Sequence, residues 1–97
     1  MRLKKEEILK IKRTTKAYFG DDAKVYLFGS RVNDKKRGGD IDLYIETGLK
    51  ENIVQRKIKM LGKLQEMLGE QKIDIVINNF HSDKLIYQIA RNEGIAL

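Results

Sequence analysis

Two short segments constrain this chain more than any others. Residues 40–46 read Asp-Ile-Asp-Leu-Tyr-Ile-Glu, and residues 72–77 read Lys-Ile-Asp-Ile-Val-Ile. Both alternate aliphatic residues with other types, the period of two that marks a strand with one face in a core. Both also carry aspartate, which strands disfavour. Between them, residues 50–68 place Val54, Ile58, Leu61, Leu64 and Leu68 at helical spacing, with Gly69 as a stop. Strand, long helix, strand is enough chain for a right-handed parallel crossover.

The remaining segments extend this frame. Residues 4–19 predict a helix, with Ile8, Ile11, Thr15 and Tyr18 recurring at helical spacing and Gly20 ending it. Residues 24–28, Lys-Val-Tyr-Leu-Phe, predict a strand, and residues 83–93 a last helix with Ser82 as N-cap and Gly94 beyond its end. The expected order is αβ(turn)βαβα, an α+β fold with a small mixed sheet of about three strands and flanking helices. Residues 1–97 are expected to form a single domain.

Strand alternation then places the carboxylates. With Ile41, Leu43 and Ile45 toward the core, Asp40, Asp42 and Tyr44 face the other way. Asp40 and Asp42 then lie about 6.5–7 Å apart along one strand. By the same rule Asp74 stands opposite the Ile73, Ile75 and Ile77 face. Antiparallel pairing of the first two strands brings Gly29 and Ser30 beside Asp40. Parallel pairing of the second and third brings Asp74 to the same end.

Three carboxylates gathered in one place repel unless a cation neutralises them. Hard oxygen donors suit Mg²⁺ or Mn²⁺, which shares its shell between carboxylates, water and substrate phosphates. Glycine in the Gly29-Ser30 turn lets backbone N–H groups approach a phosphate closely. Arg31 is a further phosphate candidate, and Lys35, Lys36 and Arg37 form a basic loop. Such a constellation is suited to in-line phosphoryl or nucleotidyl transfer. The net charge of +6, from 20 basic and 14 acidic residues, favours anionic partners.

Other residues read more plainly. His81, the single histidine, lies in a loop and reads as structural. Tyr18, Tyr26 and Tyr87 read as packing residues, whereas Tyr44 shares the aspartate face and is open to stacking on a base. Lys5, Lys12, Arg13 and Lys16 read as a solvated helix face. No cysteine is present, so disulfides and thiolate metal sites are excluded. No apolar run nears the roughly 20 residues of a membrane span. The charged N-terminus lacks a signal-peptide core, and the expected location is cytoplasmic. Without an aromatic-rich strand or a helix-turn-helix, nucleic acid is not expected as the main partner. A homo-oligomer is left open.

Gly29-Ser30, nine intervening residues, Asp40-Ile41-Asp42-Leu43 and a later Asp74 flanked by isoleucines resemble the signature of the DNA polymerase beta-like nucleotidyltransferase superfamily. The small size and the ending Leu-Ile-Tyr-Gln-Ile-Ala-Arg-Asn-Glu-Gly-Ile-Ala-Leu resemble its minimal, MNT-type branch. The resemblance implies that Gly29 and Ser30 hold a nucleoside triphosphate and that Asp40 and Asp42 ligate two Mg²⁺ ions. Asp74 would ligate the ion nearer the acceptor and help deprotonate the attacking hydroxyl. It further implies ATP as donor and a HEPN-domain protein encoded nearby as acceptor, adenylylated by an antitoxin. A catalytically silent antitoxin of the same fold, acting by binding alone, is the alternative.

Overall fold

The structure is a computed structural model and describes residues 3–29, 40–69, 71–80 and 84–97. The elements run α1 (Lys5–Phe19), β1 (Lys24–Phe28), β2 (Ile41–Glu46), α2 (Ile53–Leu68), β3 (Ile73–Asn78), α3 (Leu85–Glu93) and β4 (Ile95–Ala96). The sheet has four strands rather than about three, in the order β3-β2-β1-β4. β1 and β2 are antiparallel, β2 and β3 are parallel across the α2 crossover, and β4 is antiparallel to β1.

The two faces of the sheet are covered differently. One face carries Val25, Leu27, Ile41, Leu43, Ile45, Ile73 and Ile75, and buries them with Ile11 and Phe19 of α1 and Met60 and Leu64 of α2. Burying such side chains contributes about 1.5–3 kcal/mol each and is the main drive for these elements to assemble. α1 begins where the Glu7 carboxylate accepts the Lys4 N–H at 3.0 Å. Two carbonyls at its far end accept from other elements. Thr47 Oγ1 donates to Phe19 O at 2.9 Å, and Arg56 Nη1 donates to Tyr18 O at 2.8 Å. These bonds satisfy helix-end acceptors that have no partner within the helix.

α2 turns differently from the expectation. Val54 and Ile58 are exposed, at 66% and 64%, while Ile53, Met60, Leu61, Leu64 and Leu68 contact the core. The inward stripe passes through Lys57, half-buried on the same side. Its aliphatic stem can lie along apolar surface while its charge stays wet.

The opposite face is partly roofed by α3. Tyr87 and Ala90 pack with Tyr44, against Tyr26, Phe28 and Val76. The Tyr44 ring lies 5.6 Å from that of Tyr26 and 6.0 Å from that of Tyr87. Tyr44 is therefore fully buried, which closes the option of stacking on a base that its place on the aspartate face had left open. Its hydroxyl donates to Glu46 Oε2 at 2.9 Å and accepts from Asn78 Nδ2 at 3.0 Å and Arg91 Nη2 at 3.3 Å. The chain then passes through Gly94, where a Cβ would collide with Ala90 O, and enters β4. No helix among the described residues is long and apolar enough to cross a membrane.

Candidate active site

The site is built where three strands meet at one end. In the parallel ladder Asp42 pairs directly with Asp74, and in the antiparallel ladder Phe28 pairs with Asp42. Paired residues in a ladder point to the same face, here the face opposite the isoleucine-rich core. Asp42 and Asp74 are thus side-by-side carboxylates on neighbouring strands. Asp40 precedes β2 by one residue and lies 3.8 Å from Lys72 Nζ. Lys72 also fixes the start of the ladder, since its carbonyl accepts the Ile41 N–H at 2.9 Å.

β3 is an edge strand and Asp74 is exposed. A charge on an edge strand is a common device against aggregation. That role alone would not set the charge opposite another aspartate, because like charges in register repel.

Gly29 follows β1 directly and closes over Asp42. Its φ is +81°, in the left-handed region that glycine adopts without strain. A Cβ at this position would run into Asp42 Oδ2 and stand 3.1 Å from Asp42 Cγ. Backbone and carboxylate are therefore packed against one another at the base of the turn. The expected phosphate ligands Ser30 and Arg31, the basic residues Lys35, Lys36 and Arg37, and also His81 and Ser82, lie outside the described residues.

The electrostatics of Asp42 follow from these contacts. Burial pushes its carboxyl above the ordinary carboxylate range, and the Asp74 and Asp40 carboxylates push it further. Lys72 pulls it part of the way back. Among the described residues no hydrogen-bond donor reaches the Asp42 carboxylate.

An oxygen-ligated divalent cation fits this arrangement. The neighbouring carboxylates of Asp42 and Asp74 and the close glycine backbone leave hard donors facing a position next to a turn. Among the described residues, no three acidic or imidazole side chains are gathered closely enough to cage an ion by themselves. The ladder brings Asp42 and Asp74 together, while Asp40 lies by Lys72, so the expected gathering of all three carboxylates is not seen among the described residues.

A mixed sheet with paired aspartates beside a glycine turn defines a domain suited to phosphoryl-group chemistry. Residues 9–97 match the family described as "Polymerase beta, Nucleotidyltransferase", and the chain belongs to the polymerase beta-like nucleotidyltransferases. No curated protein gives a significant match to the chain. The domain is thus a nucleotidyltransferase domain over nearly its whole length.

Two features of the site were not legible in sequence. Lys72 is one, because a lone lysine before a strand carries no pattern. The enclosure of the Tyr44 side of the sheet depended on where α3 docks; the inward pair Tyr87 and Ala90, three residues apart, was its only signal.

Proposed function

We propose that the chain transfers AMP from ATP to a hydroxyl on a HEPN-domain partner encoded nearby, acting as an antitoxin. The observation that carries the transfer reading is the register pairing of Asp42 with Asp74 beside Gly29. ATP, the HEPN-domain partner and the antitoxin role rest on the resemblance to minimal members of the superfamily.

Each residue has a distinct part in this reading. Asp40, Asp42 and Asp74 would hold two divalent ions, Mg²⁺ or Mn²⁺. When bound, such ions neutralise triphosphate charge and lower the pKa of an oxygen they contact. Gly29 and Ser30 receive the triphosphate, with Gly29 giving the backbone a close approach. Asp74 stands on the outermost strand, where a macromolecular acceptor can reach it, and takes the proton of the attacking hydroxyl. The acceptor oxygen bonds to the α-phosphorus as the bond to the pyrophosphate oxygen breaks, and pyrophosphate leaves.

The test is incubation with α-labelled ATP, CTP, GTP or UTP and Mg²⁺, with and without the product of the neighbouring gene. The reading expects label from ATP on that partner. Nucleotide binding with no transfer to any acceptor would make the chain an antitoxin that acts by binding alone.

A further inference from the structure

β3 forms one edge of the sheet, and among the described residues no strand pairs with its outer side. The parallel ladder decides which of its backbone groups face outward. Lys72 O accepts the Ile41 N–H at 2.9 Å, and Asn78 O accepts the Thr47 N–H at 3.0 Å, so the even-numbered residues bond to β2. In a strand the N–H and C=O of one residue point to the same side, and successive residues alternate. The N–H and C=O groups of Ile73, Ile75 and Ile77 therefore point away from the sheet. Such a row, on a strand without proline, is a template for another extended chain.

An apolar helix flank stands beside this edge. α2 packs over β3, and α1 packs over β1. α1 meets α2 on the side of Arg56 and Met67, which contact Tyr18 O and Thr14 Oγ1. At about 100° per residue, Val54 and Ile58 fall on the flank turned away from α1, and both are exposed. α2 runs back against the direction of β3, so these early helix residues come level with the later part of the strand. On the opposite face of the sheet, the exposed Asp74 side chain stands at the same edge. A chain laid along β3 thus meets an apolar flank on one face and a carboxylate on the other.

We propose that the β3 edge takes an extended protein segment as an added strand, and that this segment carries the hydroxyl that attacks the nucleotide. The pairing stands on the edge geometry; the part given to the hydroxyl rests on the transferase reading above. In antiparallel pairing, residues opposite Ile73, Ile75 and Ile77 exchange hydrogen bonds with them and turn their side chains toward the α2 face. The residue opposite Asp74 falls between these bonded pairs. Its side chain lies on the aspartate face, with its Cβ about 4.5–5.5 Å from that of Asp74. A serine or threonine there holds its hydroxyl next to the carboxylate proposed to take the proton. The acceptor is therefore a segment in which aliphatic residues alternate with serine or threonine. A phosphate backbone offers no row of donors to meet the outward carbonyls, so nucleic acid does not fit this edge.

The probe is the peptide Lys-Thr-Val-Thr-Val-Thr-Val-Thr-Lys, titrated into the full chain and followed by amide hydrogen exchange. In the free chain the Ile75 and Ile77 amides should exchange faster than those of Asp74 and Val76, which are bonded to β2. Peptide at about ten times its Kd should slow Ile75 and Ile77 by about tenfold. N-methylation of the valine amides, which face β3, should weaken binding by about tenfold or more, while N-methylation of the threonine amides should not. The Val54→Asp, Ile58→Asp double variant should bind the peptide about tenfold more weakly. With labelled ATP it should transfer to the neighbouring gene's product about tenfold more slowly, at unchanged affinity for metal-nucleotide. Four results would each overturn the proposal: no slowing at Ile75 and Ile77, equal effects of the two methylation patterns, transfer by the double variant at the unmodified rate, or protection of the two amides in the free chain that grows with protein concentration. The last would assign the edge to a second copy of the chain. Peptide pairing without transfer from any nucleotide would refute the transferase reading and leave the strand addition standing.

Discussion

Asp42 and Asp74 sit directly opposite each other in register on adjacent parallel strands, with the Gly29 backbone against the Asp42 carboxylate. Two negative charges in register weaken a sheet. A cation held by these carboxylates would relieve that repulsion.

The pH dependence of the metal-free protein follows from Asp42. Its carboxyl titrates above its ordinary value in the folded state, through burial first and then through Asp74 and Asp40. Between the unfolded and folded values the native state holds more protons, so stability falls as pH rises through that window. Asp42→Asn removes this loss. Denaturant melts in chelator, from about pH 4 to about pH 8, should show a flatter profile and higher stability at neutral pH for the variant. Parallel profiles for the two proteins would contradict the electrostatic account.

Metal with nucleotide should stabilise the folded state by binding it alone. A hundredfold excess over the Kd corresponds to about 2.7 kcal/mol, read as a rise in Tm. The Asp40→Asn, Asp42→Asn double variant should lose that rise. An undiminished rise would place the ions elsewhere.

Gly29→Ala should be costly on two counts. Alanine strains at a φ of +81°, and its Cβ meets the Asp42 carboxylate. A loss of about 1 kcal/mol or more in stability is expected, together with loss of the metal-nucleotide response. Unchanged nucleotide titration in this variant would show that the turn does not need its close approach.

Tyr44→Phe tests the roof formed by α3. The change deprives the buried Asn78 amide of its acceptor and Glu46 of a donor. Leaving a buried polar group unpaired costs about 1–3 kcal/mol, measurable by urea denaturation. A cost near zero would mean that the network relaxes around the loss.

The sheet was legible because its alternation is strict. Ile41, Leu43 and Ile45 on one face left Asp42 only the other, and the length of α2 allowed only a crossover or a long return. The first half of the α2 stripe is ambiguous in sequence because two apolar tracks run along that helix. Val54 and Ile58 complete one, while Lys57 interrupts the one that packs, and neighbouring α1 decides between them rather than the helix itself. β4 is not legible because two residues carry no period, and its pairing with Tyr26 and Leu27 depends on Gly94 passing close to β1. Asp40, Asp42 and Asp74 were named from sequence because aspartate is out of place among isoleucines. The electrostatic coupling of Asp42 to Asp74 required the register.

The most direct measurement is the rate of labelled nucleotide transfer by Asp74→Asn, set beside its affinity for metal-nucleotide in the same preparation. The substitution nearly preserves volume and removes the charge proposed to accept the hydroxyl proton. The account predicts that much of the affinity is kept and that transfer falls by about 10²–10⁴-fold, the scale of a general-base contribution. Transfer at the unmodified rate would contradict the assignment of Asp74 to the acceptor side.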